Sequence, residues 1–144
     1  MLPDLPTLLL VRLGVDALIA VAFWGQMRRY PGIPGPGWWS LGAVLSIVGS
    51  VMLMGRVSGA GPLLAGLTGV MLFASNASAW VGLRAYLRLP APWRPLTGML
   101  VLQLLLQLGL ALGPDHPAGH QMVHALTMTV LVWLVLRDKP AQTT

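Results

Sequence analysis

Five long apolar stretches separated by short turns constrain this chain more than any other feature of its sequence. About 20 residues of helix are needed to cross the roughly 30 Å hydrocarbon layer of a bilayer, and each stretch has about that length. The stretches are continuous and lack the ten-residue alternation of apolar and polar residues that marks a transmembrane barrel strand. The sequence therefore predicts an all-α integral membrane protein, a five-transmembrane-helix bundle with spans at about residues 5–26, 38–55, 62–83, 95–112 and 118–136.

The composition agrees with a membrane bundle. Hydrophobic residues make up 56% of the chain and charged residues 9%, and the mean hydropathy is +0.74. A soluble domain carries roughly 25% charged residues. We expect residues 1–140 to form a single transmembrane bundle followed by a polar tail at 141–144.

Helix-breaking residues lie between the apolar stretches. Residues 31–37 hold three prolines and three glycines, and we expect this whole turn to be non-helical. Pro62 and Pro117 stand where the third and fifth spans would begin, a position that suits proline.

The basic residues lie at the ends of the segments, mostly on one side of the predicted membrane. Arg56 alone belongs to the opposite loops, and Arg12 lies inside the first segment. By the positive-inside rule, the basic side is cytoplasmic, which predicts an outer N-terminus and an inner C-terminus in a bacterial inner membrane. The net charge of +5 is explained by contact with lipid head groups, so we expect no nucleic-acid binding. The residues on the basic side are Arg28, Arg29, Arg84, Arg88, Arg94, Arg137 and Lys139.

Six tryptophans lie close to the ends of the segments. Their rings favour the head-group layer, so we expect them, Trp80 included, to anchor the bundle at the membrane interfaces.

Arg12 and Asp16 are charged residues within the first span. Their spacing of four places them on one helix face, where they can pair. One interpretation is a structural ion pair that hides both charges from lipid. The other is a site for an anion, a proton or a polar ligand, since intramembrane charges are costly and mark functional sites.

His116, His120 and His124 repeat at intervals of four near the start of the fifth span. Such a stripe can chelate a transition metal or respond to pH, and it can also simply hydrogen-bond to neighbouring helices. Asp115 is the only acid nearby in the sequence. Haem ligation between two helices would need a histidine on another span, and no other span has one. The sequence does not identify a cofactor.

Polar and small residues predict how the helices pack. Gln103 and Gln107 share a face of the fourth span, and Asn76 lies in the third, where interhelical hydrogen bonding is the usual role. Small residues recur every four positions, which predicts close helix packing within the chain or between chains. These sets are Gly42, Ser46 and Ser50; Ala74, Ser78 and Gly82; and Gly109 and Gly113.

Five of the intramembrane polar residues are expected in the outer half of the bundle. We hypothesise that they form one polar pocket open to the periplasm, a ligand or sensing site. They are Arg12, Asp16, Gln107, His120 and His124.

Residues 28–42 read Arg-Arg-Tyr-Pro-Gly-Ile-Pro-Gly-Pro-Gly-Trp-Trp-Ser-Leu-Gly, and a third segment follows with Asn76 and the exit Gly82-Leu83-Arg84-Ala85-Tyr86. This arrangement, over roughly residues 5–95, resembles the N-terminal multi-pass membrane sensor region of bacterial GGDEF diguanylate cyclases. The resemblance implies a sensory input with a cytoplasmic output. The catalytic Gly-Gly-Asp/Glu-Glu-Phe motif itself does not occur in the chain, and beyond residue 95 only the hydropathy matches.

Two functions follow as expectations. The first is a membrane-embedded sensory or regulatory module that passes a periplasmic or bilayer signal to a cytoplasmic output domain or partner. The alternative is a small accessory subunit of a larger respiratory, photosynthetic or transport complex. The partners expected are the lipid bilayer and either another protein or a second copy of the chain, bound through the small-residue faces. No catalytic motif indicates an enzyme, and no inverted repeat indicates a transporter.

Overall fold

A computed structural model of the protein describes residues 4–57, 61–113 and 117–137. These residues form five α-helices and no strand, and all five helices are long and apolar enough to cross a membrane. The predicted all-α architecture of five helices, each long and apolar enough to span a membrane, is therefore confirmed. The helices are α1 (Leu5–Arg29), α2 (Pro36–Val57), α3 (Pro62–Tyr86), α4 (Trp93–Leu112) and α5 (Pro117–Arg137).

Consecutive helices run in opposite directions, so the bundle has two ends. The Asp4 end holds the start of α1, and the Arg29 end holds its last residue and the turn into α2. Each helix extends by one to three residues beyond the predicted span at one or both ends; α1 and α3 begin, and α4 ends, at the predicted residue. Such extra turns fit helices of about 30–37 Å that continue into the head-group layer.

The turn before α2 is shorter than expected. Pro36 and Gly37 are helical, so the prediction that all of residues 31–37 are non-helical is wrong at these two positions. Proline is tolerated in the first helical turn because an N–H there has no intrahelical acceptor. Gly35 ends the turn with φ +118°, and a Cβ atom there would lie 2.9 Å from the carbonyl oxygen of Gly82. Only glycine allows this backbone angle and this approach of the turn to α3.

Helix α3 lies at the centre of the arrangement. It contacts α2, α4 and α5, whereas α1 contacts α2 alone among the described helices. Half of the most apolar stretch of α3 is buried, against 11% for α1. The first helix is therefore held to the rest of the molecule through one neighbour.

The hydrophobic core lies between α3, α4 and α5. Trp80 is 7% exposed and belongs to this core, so the expectation that it anchors at the interface is wrong. Partly buried residues, among them Ala77 and Ala91, pack against this core. The buried core residues are Phe73, Trp80, Val81, Leu96 and Leu131.

Candidate functional site

Arg12, Asp16 and Ser46 form a hydrogen-bonded cluster between α1 and α2. Asp16 Oδ2 lies 3.6 Å from Arg12 Nε and accepts a hydrogen bond of 2.6 Å from Ser46 Oγ. Arg12 Nη2 in turn donates to Ser46 Oγ at 3.2 Å. Ser46, expected only as a small packing residue, therefore joins both charged groups of α1 to α2.

An open groove of about 430 Å³ lies beside this cluster, with α1 on one side and α3 on the other. Since α1 and α3 do not contact each other, α2 forms the base of the groove with Gly42, Ala43 and Ser46. The side chain of Arg12 is 49% exposed and that of Asp16 is 17% exposed. The ion pair is thus open to whatever fills the groove.

Asn76 lines the α3 side of the groove and is exposed. Its Nδ2 donates to the carbonyl oxygen of Leu72 at 2.8 Å, within its own helix. This bond replaces the interhelical hydrogen bond expected from the sequence, and it leaves the Asn76 amide on the groove surface.

Aromatic rings close the groove towards the Arg29 end. The Trp39 ring lies 5.0 Å from that of Phe23 and 5.8 Å from that of Tyr86, so the three rings join α1, α2 and α3. Trp39 Nε1 donates to the carbonyl oxygen of Ala79 at 3.2 Å. A Cβ atom at Gly82 would lie 2.5 Å from the same Nε1, so glycine makes room for the Trp39 ring.

A second polar group, which we call the glutamine ladder, links α4 to α5 and α3. Gln107 accepts from His120 Nδ1 at 2.5 Å and donates to the carbonyl oxygen of His120 at 3.2 Å. Because Gln107 Oε1 is an acceptor, Nδ1 carries the proton in this arrangement. Gln103 accepts from the hydroxyl of Thr127 and donates to the carbonyl oxygen of Gly69 at 3.0 Å.

The glutamine ladder is buried, in contrast to the groove. Gln103, Gln107 and His120 are each at most 3% exposed, and His124 Nδ1 lies 3.4 Å from Gln103 Nε2. A Cβ atom at Gly69 would lie 2.7 Å from Gln107 Nε2, so this glycine allows the amide to reach α3. Buried amides with partners on two other helices hold those helices in register.

The structure divides the five residues expected in one outer pocket between two places. Arg12 and Asp16 lie in the groove, and α1 contacts neither α4 nor α5, which carry the other three. The hypothesis of one shared pocket is therefore wrong for the described residues. Gln107, His120 and His124 belong to the glutamine ladder.

Within the described ranges, no three His, Cys, Asp or Glu side chains come together as a metal site. His116 and Asp115 lie outside the described residues, so the three-histidine metal site stays a prediction. His120 and His124 both direct Nδ1 towards glutamines of α4.

Sequence reasoning missed Thr127, Gly69 and the aromatic end of the groove. Thr127 continues the His120–His124 stripe by one turn, so its spacing carried a usable signal. Phe23 had no such signal, because the meeting of α1 and α2 rings depends on how the two helices pack.

Comparison with known proteins identifies no relative: the chain matches no family model, no curated protein and no solved structure.

Proposed function

We propose that the protein is a membrane-embedded sensory or regulatory module of a bacterial inner membrane. The groove between α1 and α3 is its input site, and the Arg29 end faces a cytoplasmic output domain or partner. The observation that carries this proposal is the Arg12–Asp16 ion pair, which is open to the groove although it lies well inside a membrane-spanning helix.

The energetics of charge in a membrane support an input site here. Arg12 and Asp16 lie about 10–17 Å along α1 from the Asp4 end. Charged groups at such depth are costly and are kept where they serve a site or pathway. A polar molecule entering the groove would compete with Ser46 for both groups.

The attachment of α1 supports transmission. Because α1 contacts only α2, a change in the Arg12–Ser46–Asp16 cluster acts directly on the interface that holds α1 in place. The same helix meets Trp39 through Phe23 near the Arg29 end. A ligand bound beside Arg12 and Asp16 is therefore connected, through α1 and the Phe23–Trp39 contact, to the Arg29 end.

The residues that carry the resemblance to cyclase sensor regions also lie around the groove. Trp39, Gly42 and Asn76 line it, and Gly82 accommodates Trp39. These residues are far apart in the sequence but lie around the same groove, which supports a common functional role for them.

An accessory subunit of a larger membrane complex is the second candidate. The observation in its favour is the same uncovered ion pair, because a helix of another subunit that carries a polar residue would cover it. Purification from native membranes in mild detergent distinguishes the two. A stoichiometric complex whose partner crosslinks to a photoreactive group at Ile19 would favour the accessory subunit.

The sensor proposal is tested by fusing a diguanylate cyclase catalytic domain after Thr144 and measuring cyclic di-GMP in cells. We expect Arg12→Gln and Asp16→Asn to change the output several-fold, because each breaks the cluster. Ser50→Ala, on α2 one turn beyond Ser46 and outside the groove, is the control and should leave the output unchanged. Equal output from all four proteins at equal membrane levels would contradict the proposal.

A further inference from the structure

A second cleft, away from the groove, opens at the Arg29 end between α3, α4 and α5. Its volume is about 370 Å³, and its two charged lining residues, Arg84 and Arg137, stand in the last turns of α3 and α5. Trp80, Pro92, Pro95 and Leu134 complete the lining. Two arginines thus line one small cleft together with apolar side chains.

Both arginines are oriented by contacts on the protein. Arg84 Nε donates to the carbonyl oxygen of Pro90 at 2.7 Å, which fixes the plane of its guanidinium group. The guanidinium carbon of Arg137 lies 5.1 Å from the centre of the Trp133 ring. Because these contacts hold the arginine side chains in place before an anion binds, less conformational entropy is lost on binding.

The charged residues that line the cleft in the described part of the chain are both positive, and no carboxylate of the described residues lines it. The C-terminal ends of α3 and α5 each contribute about half a negative charge, and the start of α4 at Trp93 contributes about half a positive one. Among the described residues, the charges of the two arginines exceed these helix-end charges, which favours an anion in the cleft.

We propose that this cleft binds the phosphodiester of an anionic phospholipid, with the phosphate between Arg84 and Arg137. Guanidinium groups match phosphate oxygens with paired hydrogen bonds, and basic clefts between membrane helices are suited to lipid head groups. This site is independent of the proposed input groove, with which it shares helix α3 but no lining residue.

The position of the cleft favours a lipid over free phosphate. Trp93 and Trp133 are each 52% exposed near this end, where such rings mark the head-group layer. Pro92, Pro95 and Leu134 offer apolar surface to the glycerol and the first methylenes of an acyl chain. A free phosphate ion would leave that surface wet.

The test is native mass spectrometry of the full chain released from nanodiscs of phosphatidylcholine with a minority of phosphatidylglycerol. We expect one phosphatidylglycerol retained per chain, and Arg84→Gln/Arg137→Gln to lower the retained fraction on the order of tenfold. Arg28→Gln/Arg29→Gln is the matched control. It removes the same charge from the same end, outside the cleft, and should retain the lipid.

Two further variants distinguish loss of lipid binding from loss of the fold. Arg137→Gln alone should reduce retention while Arg84 keeps its bond to Pro90. Leu134→Trp leaves every charge in place and should reduce retention by filling the cleft. Circular dichroism of each variant shows that it is folded.

Three results would overturn the proposal. The first is no retained lipid on the folded wild-type chain, and the second is an equal loss in the Arg28→Gln/Arg29→Gln control, which would mean diffuse attraction to the basic end. The third is displacement of the lipid by equimolar inorganic phosphate, which would identify a soluble anion as the ligand.

Discussion

At the scale of single residues, two serines one turn apart on α2 have opposite surroundings. Ser46 Oγ bonds to Arg12 and Asp16, while Ser50 Oγ is buried without a hydrogen-bond partner among the described residues. A made hydrogen bond contributes about 0.5–1.5 kcal/mol, and an unpaired buried hydroxyl is unfavourable. We expect Ser46→Ala to lower the free energy of unfolding by about 1 kcal/mol or more, and Ser50→Ala to leave it unchanged or raise it. Reversible unfolding in mixed SDS micelles measures both, and an equal loss in the two variants would contradict the assignment.

Asp4 caps the start of α1. Its Oδ1 accepts from the backbone N–H of Thr7 at 3.1 Å. Hydrogen bonds from Thr7, chiefly the side chain and then the backbone, hold the pKa of Asp4 below its ordinary value of 3.8. Because the pKa of Asp4 is lowered in the folded state, the cap stabilises α1 fully at pH values above the ordinary pKa of the carboxyl. This stabilisation is lost as the pH falls through the lowered pKa.

The Asp4 cap therefore predicts acid fraying of α1. In NMR spectra recorded across the acidic range, the Thr7 amide signal should shift towards its frayed position as the pH falls. Asp4→Asn keeps a good cap without a titrating group, so its Thr7 signal should stay constant. A matching shift in the Asn variant would exclude Asp4 as the cause.

Spacing within one helix was enough to predict that Arg12 and Asp16 meet, because residues four apart always share a face. Spacing could not show that Ser46 joins them, since that contact depends on the packing of α2 on α1. It also could not separate Gln107 from Arg12, because equal depth along two helices does not make the helices neighbours.

At the scale of helices, glycines with the same apparent pattern have different neighbours. A Cβ atom at Gly42 would lie 2.9 Å from the backbone oxygen of Ser75, whereas one at Gly109 would meet nothing within 4 Å. The four-residue pattern of small residues predicts both as packing positions. It does not specify a partner, so Gly42 packs inside the chain and Gly109 remains available to lipid or to another chain.

Alanine substitution should separate these two glycines. Gly42→Ala forces α2 away from the α3 backbone and should lower the free energy of unfolding by about 1–3 kcal/mol. Gly109→Ala adds helix propensity in open space and should raise it by up to about 1 kcal/mol. Unfolding in mixed micelles measures both changes. A loss of stability from Gly109→Ala that depends on protein concentration would instead indicate contact between copies of the chain.

The helices themselves were predictable because proline, glycine and long apolar runs act locally. Their order in space was not, because every apolar helix face satisfies a bilayer equally well. What distinguishes α3 as the central helix is a set of close approaches at Gly42, Gly69 and Gly82, each of which involves another helix.

At the scale of the whole molecule, the two polar groups differ in how many helices they join. The glutamine ladder ties α3, α4 and α5 together with buried hydrogen bonds, so this part forms a fixed frame. The groove lies where α1 is held by α2 alone. The proposed function needs a helix that can shift relative to the others, and α1, which has a single neighbour, is the helix that meets this condition best.

The orientation of the bundle in the membrane is the prediction on which the sensor proposal depends. The chain has no cysteine, so single cysteines report on topology without background. Ile33 is 46% exposed in the turn at the Arg29 end, and Gly61 is exposed at the Asp4 end. Because basic loops stay on the cytoplasmic side, an impermeant maleimide added to intact cells should label Gly61→Cys and should label Ile33→Cys only after permeabilisation.

The reversed labelling pattern would have a specific consequence. It would place the Arg29 end outside the cytoplasm, and a cytoplasmic output could then receive a signal only from the Asp4 end. The sensor proposal would fail in that case, because the connection from the Arg12–Asp16 cluster through Phe23 and Trp39 leads away from that end. The lipid cleft would survive, since Arg84 and Arg137 would meet head groups of the other leaflet.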